Sequence, residues 1–522
     1  MAVIIKNKKA VLLRLKDPTR VTTVIPTAKT IKHKGQTFVA VPHRPDETRV
    51  LNQLGYKIQR PMELHYEWPK IGGLYDPYEA QLDTASFASM NPRCFINNGM
   101  GTGKTISSLW AYDYLRKAKQ VNKVLIVCPL STMERTWGDE IFKTFAHLNF
   151  HVLFGTAARR KKLLADTKAD VYVVNTEGVR IIEKELAKRP DIDLVIVDEC
   201  AMFRNATTVR WKSMNAICNK QTPRRVWGLT GMPTPNAPTD AWAQCKLVIP
   251  SSPNVPKYFN SARDATMRQI TAFKWVPKDN ANDTVLQWMQ PSIRYSLDDV
   301  AELPDMVYIE RRAQMSAKQN EVYTKMMQKL KAEHDGGQIM AVNEAIKASK
   351  LVQIACGVAY TREGETVKLE APDRIATLRE VIEESDGKVI VFVPLTGALN
   401  YVAGELRKDN SVAIIQGATP KAERDEIFSN FQRQDDPRIL IANPGTMSHG
   451  LTLTRATTIV WYAPIHSLDT YGQANARILR LGQKSKTRVV TISASPIEDR
   501  IYRALQGKED MQNLLLDMLK NQ

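Results

Sequence analysis

Residues 97–105 read "NNGMGTGKT". The run ends in Gly-x-Gly-Lys-Thr, the phosphate-gripping half of a P-loop, whose full pattern is G-x-x-x-x-G-K-[ST]. The first glycine of that pattern belongs at position 98, where this chain carries Asn98. Its flanks decide between a nucleotide loop and a chance run of glycines. Before it, "PRCFIN" (92–97) is a short apolar strand; after it, "TISSLWAYDYLRKA" (105–118) is a good helix. In that strand–loop–helix setting the backbone N–H groups of Gly101, Gly103 and Lys104 cradle phosphates at a helix N-terminus. Lys104 would neutralise the β- and γ-phosphates, and the Thr105 hydroxyl would hold Mg²⁺. The plain alternative is a helix-capping glycine turn.

Working outward, apolar runs alternate with helical stretches: "KVLIVCPL" (123–130), "DVYVVNT" (170–176), "DLVIVDE" (193–199) and "RVWGLTG" (225–231). Short, continuously apolar strands separated by helices mark a parallel sheet covered on both faces. A second series follows at "KVIVFVPL" (388–395), "SVAIIQG" (411–417), "RILIANP" (438–444), "TTIVWYAP" (457–464) and "TRVVTISAS" (487–495). Between them, from about 245 to 370, the chain is mostly helical and polar. Ahead of them, "KAVLLRL", "VTTVIP" and "QTFVAVP" read as short strands of a small module. The expected fold is α/β, with two parallel-sheet lobes. Its domains are an N-terminal β-rich module (1–65), an ATP-binding lobe (66–245), a helical insertion and linker (246–370) and a second lobe (371–522).

Two further stretches carry chemistry. "LVIVDECA" (194–201) ends a strand in Asp198-Glu199, at the sheet edge where open α/β sheets bind ligands. Asp198 would hold Mg²⁺, and Glu199 would polarise an attacking water. In "TYGQANARILRLGQ" (470–483), Gln473, Arg477 and Arg480 are spaced i, i+4, i+7, which on one helix gives a single face. Two arginines and a glutamine so placed suit a triphosphate, the arginines neutralising charge that develops on the γ-phosphate. The plain alternative is a solvated basic helix.

Composition narrows the class. The 522 residues carry 73 Lys+Arg against 55 Asp+Glu, a net charge of +18, which favours a polyanionic partner. Six cysteines stand singly, with no C-x-x-C pair, arguing against zinc and against a disulfide framework. No segment approaches the roughly 20 apolar residues that span a bilayer. The start, "MAVIIKNKKAVLLRL", is too charged for a signal peptide. The expected location is the cytoplasm, a host's if the chain is viral.

In order, "GMGTGKT", "VDECA" and "LTGMPTPN" resemble superfamily-two helicases, in particular the SWI/SNF-type branch of DNA translocases. In that branch the position of Asn98 is generally not glycine, so the variant P-loop fits. The resemblance covers about 70 to 510 and implies that both parallel-sheet lobes are RecA-like. It implies a nucleotide loop of Gly99, Met100, Gly101, Thr102, Gly103, Lys104 and Thr105, with Gln81 of "PYEAQ" reading adenine. It also implies that "LTGMP" (229–233) couples the ATP site to DNA. "IVCPLSTMERTW" (126–137) and "NTEG" (175–178) would meet phosphates without reading sequence. In the second lobe, "GLTLTRA" (450–456) brings Gly450, and the 470–483 run resembles Q-x-x-x-R-x-x-R-x-G-Q. Gln473 would then contact nucleotide, and Arg477 and Arg480 would act beside Lys104 and Glu199 in catalysis.

Departures from the family pattern are Cys200-Ala201 for Ala-His, Thr452 for Asn, and Met447-Ser448 for two glycines. The implied protein is a monomeric, ATP- and Mg²⁺-using DNA translocase or helicase acting on duplex, forked or branched DNA, with no membrane partner and no small-molecule substrate besides ATP. Gly-Leu-Thr at 450–452 looks more like the fork-remodelling members. An RNA helicase, or a duplex translocase that separates no strands, remains the alternative.

Overall fold

The computed structural model describes the chain apart from residues 1, 34, 272–274, 301–303, 305, 336–340, 361–365, 448–452, 480–482, 484 and 508–522. It falls into two compact units, Met1–Ala301 and Glu302–Gln522.

The first unit holds a seven-stranded parallel sheet. Its order is Ser292–Ile293, Arg93–Ile96, Arg225–Leu229, Ile192–Val197, Lys123–Cys128, Val171–Asn175, Phe150–Val152. Alternate residues feed opposite cores. Leu125, Val127, Val195 and Val197 pack into one hydrophobic cluster, and Val124, Ile126, Leu194 and Ile196 into another. Burial on both faces is why these strands read as unbroken apolar runs.

Ahead of this sheet, Ala2–Ile5, Ala10–Arg14, Gln36–Pro42 and Lys29–His33 form a four-stranded antiparallel sheet in that spatial order. Its core is small, with Val11, Leu13, Val39 and Val41 packed on Val21, Ile25, Leu51 and Ile58. The stretch "VTTVIP", expected as a strand, instead opens in a helical turn, Thr19–Thr22. Asp17 accepts from the Thr19 amide at 2.9 Å, an Asx arrangement that starts a turn in spite of the β-branched residues.

The second unit carries a six-stranded parallel sheet. Its order is Met306–Arg312, Thr487–Ser493, Ala456–Trp461, Lys388–Phe392, Ile439–Ala442, Val412–Ile415. The boundary between units falls inside the 246–370 segment, which contributes to both. Ser292–Ile293 extends the first sheet beside Arg93–Ile96, and Met306–Arg312 pairs along its length with Thr487–Ser493. Neither strand is legible beforehand: one has two residues, and the other is an edge strand with Val307, Tyr308, Glu310 and Arg312 exposed. Among the described residues, no helix is long and apolar enough to cross a membrane.

Candidate nucleotide site

Three neighbouring strands of the first sheet end together. Arg93–Ile96 runs into the 97–103 loop, Ile192–Val197 into Asp198-Glu199, and Arg225–Leu229, which lies between them, into Thr230. Their parallel register aligns Leu229 with Ile96 and Gly228 with Val197. All three loops therefore leave the C-terminal edge of the sheet side by side.

The P-loop turns through Gly101 and Gly103, at φ +79° and +89°. Both lie in the left-handed region that glycine occupies without steric cost. A Cβ on Gly103 would also crowd the Gln81 carboxamide, which would have to shift away from its place against the loop. Helix Lys104–Lys117 starts immediately afterwards. Lys104 Nζ donates to the carbonyls of Asn98 and Gly99, both at 2.9 Å, and so folds back over its own loop. Gln81 braces the loop from behind: its Nε2 donates to Thr102 O at 3.0 Å, and its Oε1 accepts from Tyr78 N at 3.2 Å. That leaves the carboxamide one N–H and one lone pair for a ligand.

Asn98 has a structural reason to replace glycine. Buried, it donates to Thr84 Oγ1 at 2.8 Å and accepts from the Tyr295 amide at 3.0 Å. Gly99 N adds a bond to Tyr295 O at 2.7 Å. The loop is thus tied to a helix before it and to a segment far beyond it. Asn98→Gly restores the textual P-loop pattern but removes two buried hydrogen bonds and adds backbone freedom. It is expected to destabilise the first unit by about 2 kcal/mol in urea unfolding. Unchanged stability would mean that the Asn98 bonds contribute nothing.

Asp198 is buried. Its Oδ2 accepts from the Trp137 indole N–H at 2.9 Å, and its Oδ1 from the Glu199 amide at 3.0 Å. Burial pushes its carboxyl pKa up, while the Trp137 bond and the Lys104 charge pull it back. A carboxylate made costly by desolvation gains from a nearby cation, and a carboxylate with a hydroxyl (Asp198, Thr105) is the hard oxygen donor set that Mg²⁺ prefers. Glu199 holds φ 50° and ψ 54°, left-handed backbone that a non-glycine residue adopts at a cost. Trp137, inside the "IVCPLSTMERTW" run, was not singled out from the sequence; nothing local marks its indole as the brace of a carboxylate in another strand.

Thr230 is fully buried: its amide bonds Ile96 O at 3.1 Å, and its hydroxyl accepts from Met232 N at 3.2 Å. A Cβ on Gly231 would lie 3.4 Å from Met100 Cγ and 3.5 Å from Met100 N. The "LTGMP" turn therefore packs directly on the P-loop.

In the second unit, the helix carrying Gln473 spans Leu468–Asn475 and stops there. Arg477 lies in the turn beyond it, so Gln473 and Arg477 do not share the one helix expected to carry them. The physical reason is that the Arg477 carbonyl accepts from Leu453 N at 3.0 Å, and Gln483 Nε2 clamps the same turn at Ile478 O, 3.0 Å, and Thr454 O, 3.1 Å. Gln473 Nε2 donates to Asp469 Oδ1 at 2.9 Å, while its buried Oε1 has no hydrogen-bond partner among the described residues. Gly450 and Arg480 lie outside the described residues.

The SNF2-related domain family matches residues 78–357, more than half of the chain, and the helicase conserved C-terminal domain family matches 373–482. Protein p41 of Acyrthosiphon pisum secondary endosymbiont phage 1 is 25% identical over 444 residues, 81% of this chain and 94% of its own length. The Xenopus tropicalis SWI/SNF-related matrix-associated actin-dependent regulator of chromatin subfamily A-like protein 1 is 22% identical over 84% of this chain and 44% of its own. The chain thus spans nearly all of the phage relative and less than half of the vertebrate one. Among solved structures, the Sulfolobus solfataricus SWI2/SNF2 ATPase core in complex with dsDNA aligns over 88% of this chain and 96% of its own, at 18% identity and a TM-score of 0.41.

Proposed function

The chain belongs to the family of the SNF2-related domain and is an ATPase of the helicase type, and from that premise we propose that it is a motor that moves along DNA. The observation that carries this reading is the convergence of the Lys104 loop, Asp198-Glu199 and Thr230 on three adjacent strand ends. In it, residues 99–105 hold the triphosphate and Gln81 meets the adenine edge. Thr105 and Asp198 hold Mg²⁺, which supplies charge neutralisation when bound, and Glu199 orients the attacking water. Arg477 and Arg480, with Gln473 and Gly450, come from the second unit to the same triphosphate. Hydrolysis then requires the two units to close on one nucleotide, and product release lets them part. If each unit grips the phosphate backbone, that cycle becomes displacement. The Gly-Leu-Thr at 450–452 supports action on forked or branched DNA, in replication, recombination or repair. The six cysteines are free and buried, which supports a reducing cytoplasm, a host's if the chain is viral. We take the working form to be a monomer.

Steady-state ATPase with no nucleic acid, single-stranded DNA, duplex, forked DNA and RNA tests this, with Lys104→Ala as control. Stimulation by duplex or forked DNA is expected. Stimulation by RNA alone would make the protein an RNA helicase instead.

A further inference from the structure

A cleft of about 820 Å³ lies between the N-terminal sheet and the first lobe, both within the first unit. Its wall presents Lys8, Lys9, Lys29 and Arg44 from the module, and Lys117 and Lys119 from the far end of the P-loop helix. All six side chains are exposed, and Glu67 is the single carboxylate among the lining residues. Only Lys117 is neutralised, by the buried Asp113 at 2.8 Å; among the described residues the other five form no ion pair. The module as a whole is strongly biased. Residues 1–65 hold 13 Lys+Arg against 4 Asp+Glu, so one-eighth of the chain supplies +9 of the net +18.

Backbone conformation is an independent sign. Only four described non-glycine residues have positive φ, and two of them, Lys9 (46°) and Lys119 (56°), line this cleft from opposite sides. Glycine would hold either turn without the Cβ penalty. Strained non-glycine positions gather where a side chain has work to do, as at Glu199. Behind them His43 donates from Nε2 to Gln59 O at 2.8 Å, and its Nδ1 accepts from His65 Nε2 at 2.9 Å. Burial lowers both pKa values, and His43, then Lys9 and Lys6, lower that of His65 further, consistent with a positive field in the cleft.

We propose that this cleft is a second nucleic-acid site, holding the phosphodiester backbone of a DNA duplex apart from the nucleotide. It rests on the DNA-motor reading and adds a place where DNA is gripped without ATP. The P-loop helix has 14 residues, so its cleft end is about 20 Å from the phosphate loop. The chemistry here is repeated unpaired cations along an open trough, which matches a chain of phosphates and reads no bases.

The test is the double variant Lys9→Gly/Lys119→Gly in the full chain. Binding to a 30-base-pair duplex is followed by fluorescence anisotropy without nucleotide, across a salt series. Removing two phosphate contacts is expected to flatten the slope of log K against log[salt] by about 2, and to weaken binding at least about tenfold near 0.1 M salt. Because glycine suits both turns, the unfolding midpoint is expected to stay level or rise, and basal ATPase to stay unchanged. Duplex RNA should lose affinity in parallel, since the shared group is the phosphodiester.

Unchanged DNA affinity and slope in the variant, with the wild-type ATPase still stimulated by DNA, overturns the cleft and leaves the motor reading standing. Loss of stabilisation by inorganic phosphate or ATP, with DNA affinity intact, marks a site for small phosphates and overturns it too. A wild type that neither binds DNA nor responds to it overturns both.

Discussion

Glu199→Gln is expected to bind ATP normally and turn it over about a thousandfold more slowly, the scale of losing a positioned general base. The substitution keeps the size and shape of the side chain, so the backbone at φ 50° and the Asp198 bond to the residue 199 amide should persist. What disappears is the negative charge proposed to draw a proton from water. Lys104→Ala is expected to fail differently: it deletes the ammonium now resting on Asn98 O and Gly99 O, and so weakens nucleotide binding itself. Fluorescent-nucleotide titration beside single-turnover hydrolysis separates the two. Wild-type turnover by Glu199→Gln would remove this residue from the reaction. A third variant adds a contrast. Glu199→Gly should be at least as stable as wild type, because glycine relieves a left-handed strain of about 1–3 kcal/mol, yet be equally inactive.

Arg374→Ala is expected to destabilise the second unit by about 3–5 kcal/mol, a large share of the roughly 5–15 kcal/mol that holds a domain folded. Arg374 and Glu498 are both fully buried and meet at 2.7 Å. The guanidinium also serves the carbonyls of Tyr462, Ala355 and Ile492, and Glu498 Oε2 accepts from Ala494 N and Ser495 Oγ, both at 2.9 Å. Truncation leaves a charge without its partner and takes the guanidinium from three carbonyls; Ala355 O keeps Gln319 Nε2 and Ile492 O keeps the Tyr502 hydroxyl, but Tyr462 O loses both of its bonds in an interior of low dielectric. Replacing both residues by apolar ones should recover only part of the loss, because Tyr462 O still lacks the guanidinium. Urea unfolding of the two single variants and the double one measures this directly. A cost under about 1 kcal/mol for Arg374→Ala would show the network to be weak.

The same contrast, local pattern against distant partner, runs through the whole chain. Strands such as "KVLIVC" and "DLVIV" were legible because burial on both faces leaves a continuous apolar run, and the P-loop because glycine positions and the following helix are neighbours in sequence. Asp198-Glu199 was legible as a strand-end pair. The end of the Leu468–Asn475 helix was not, since the bonds that stop it come from Leu453 and Gln483. Asn98 showed as a departure from a pattern, but its cause lies in Tyr295, 197 residues away.

By itself, then, the sequence determined most core strands of both sheets, the helix after the P-loop, and which residues are candidates to grip a phosphate, because propensity, periodicity and capping act within a turn or two of chain. Only the tertiary structure decided that the strands ending in the P-loop, Asp198 and Thr230 lie side by side, that Trp137 braces Asp198, and that Lys9 faces the same cleft as Lys119. Those adjacencies follow from burying both faces of a sheet at once and pairing most of the buried polar groups. Both requirements are met by residues far apart in the chain, and no local window contains them.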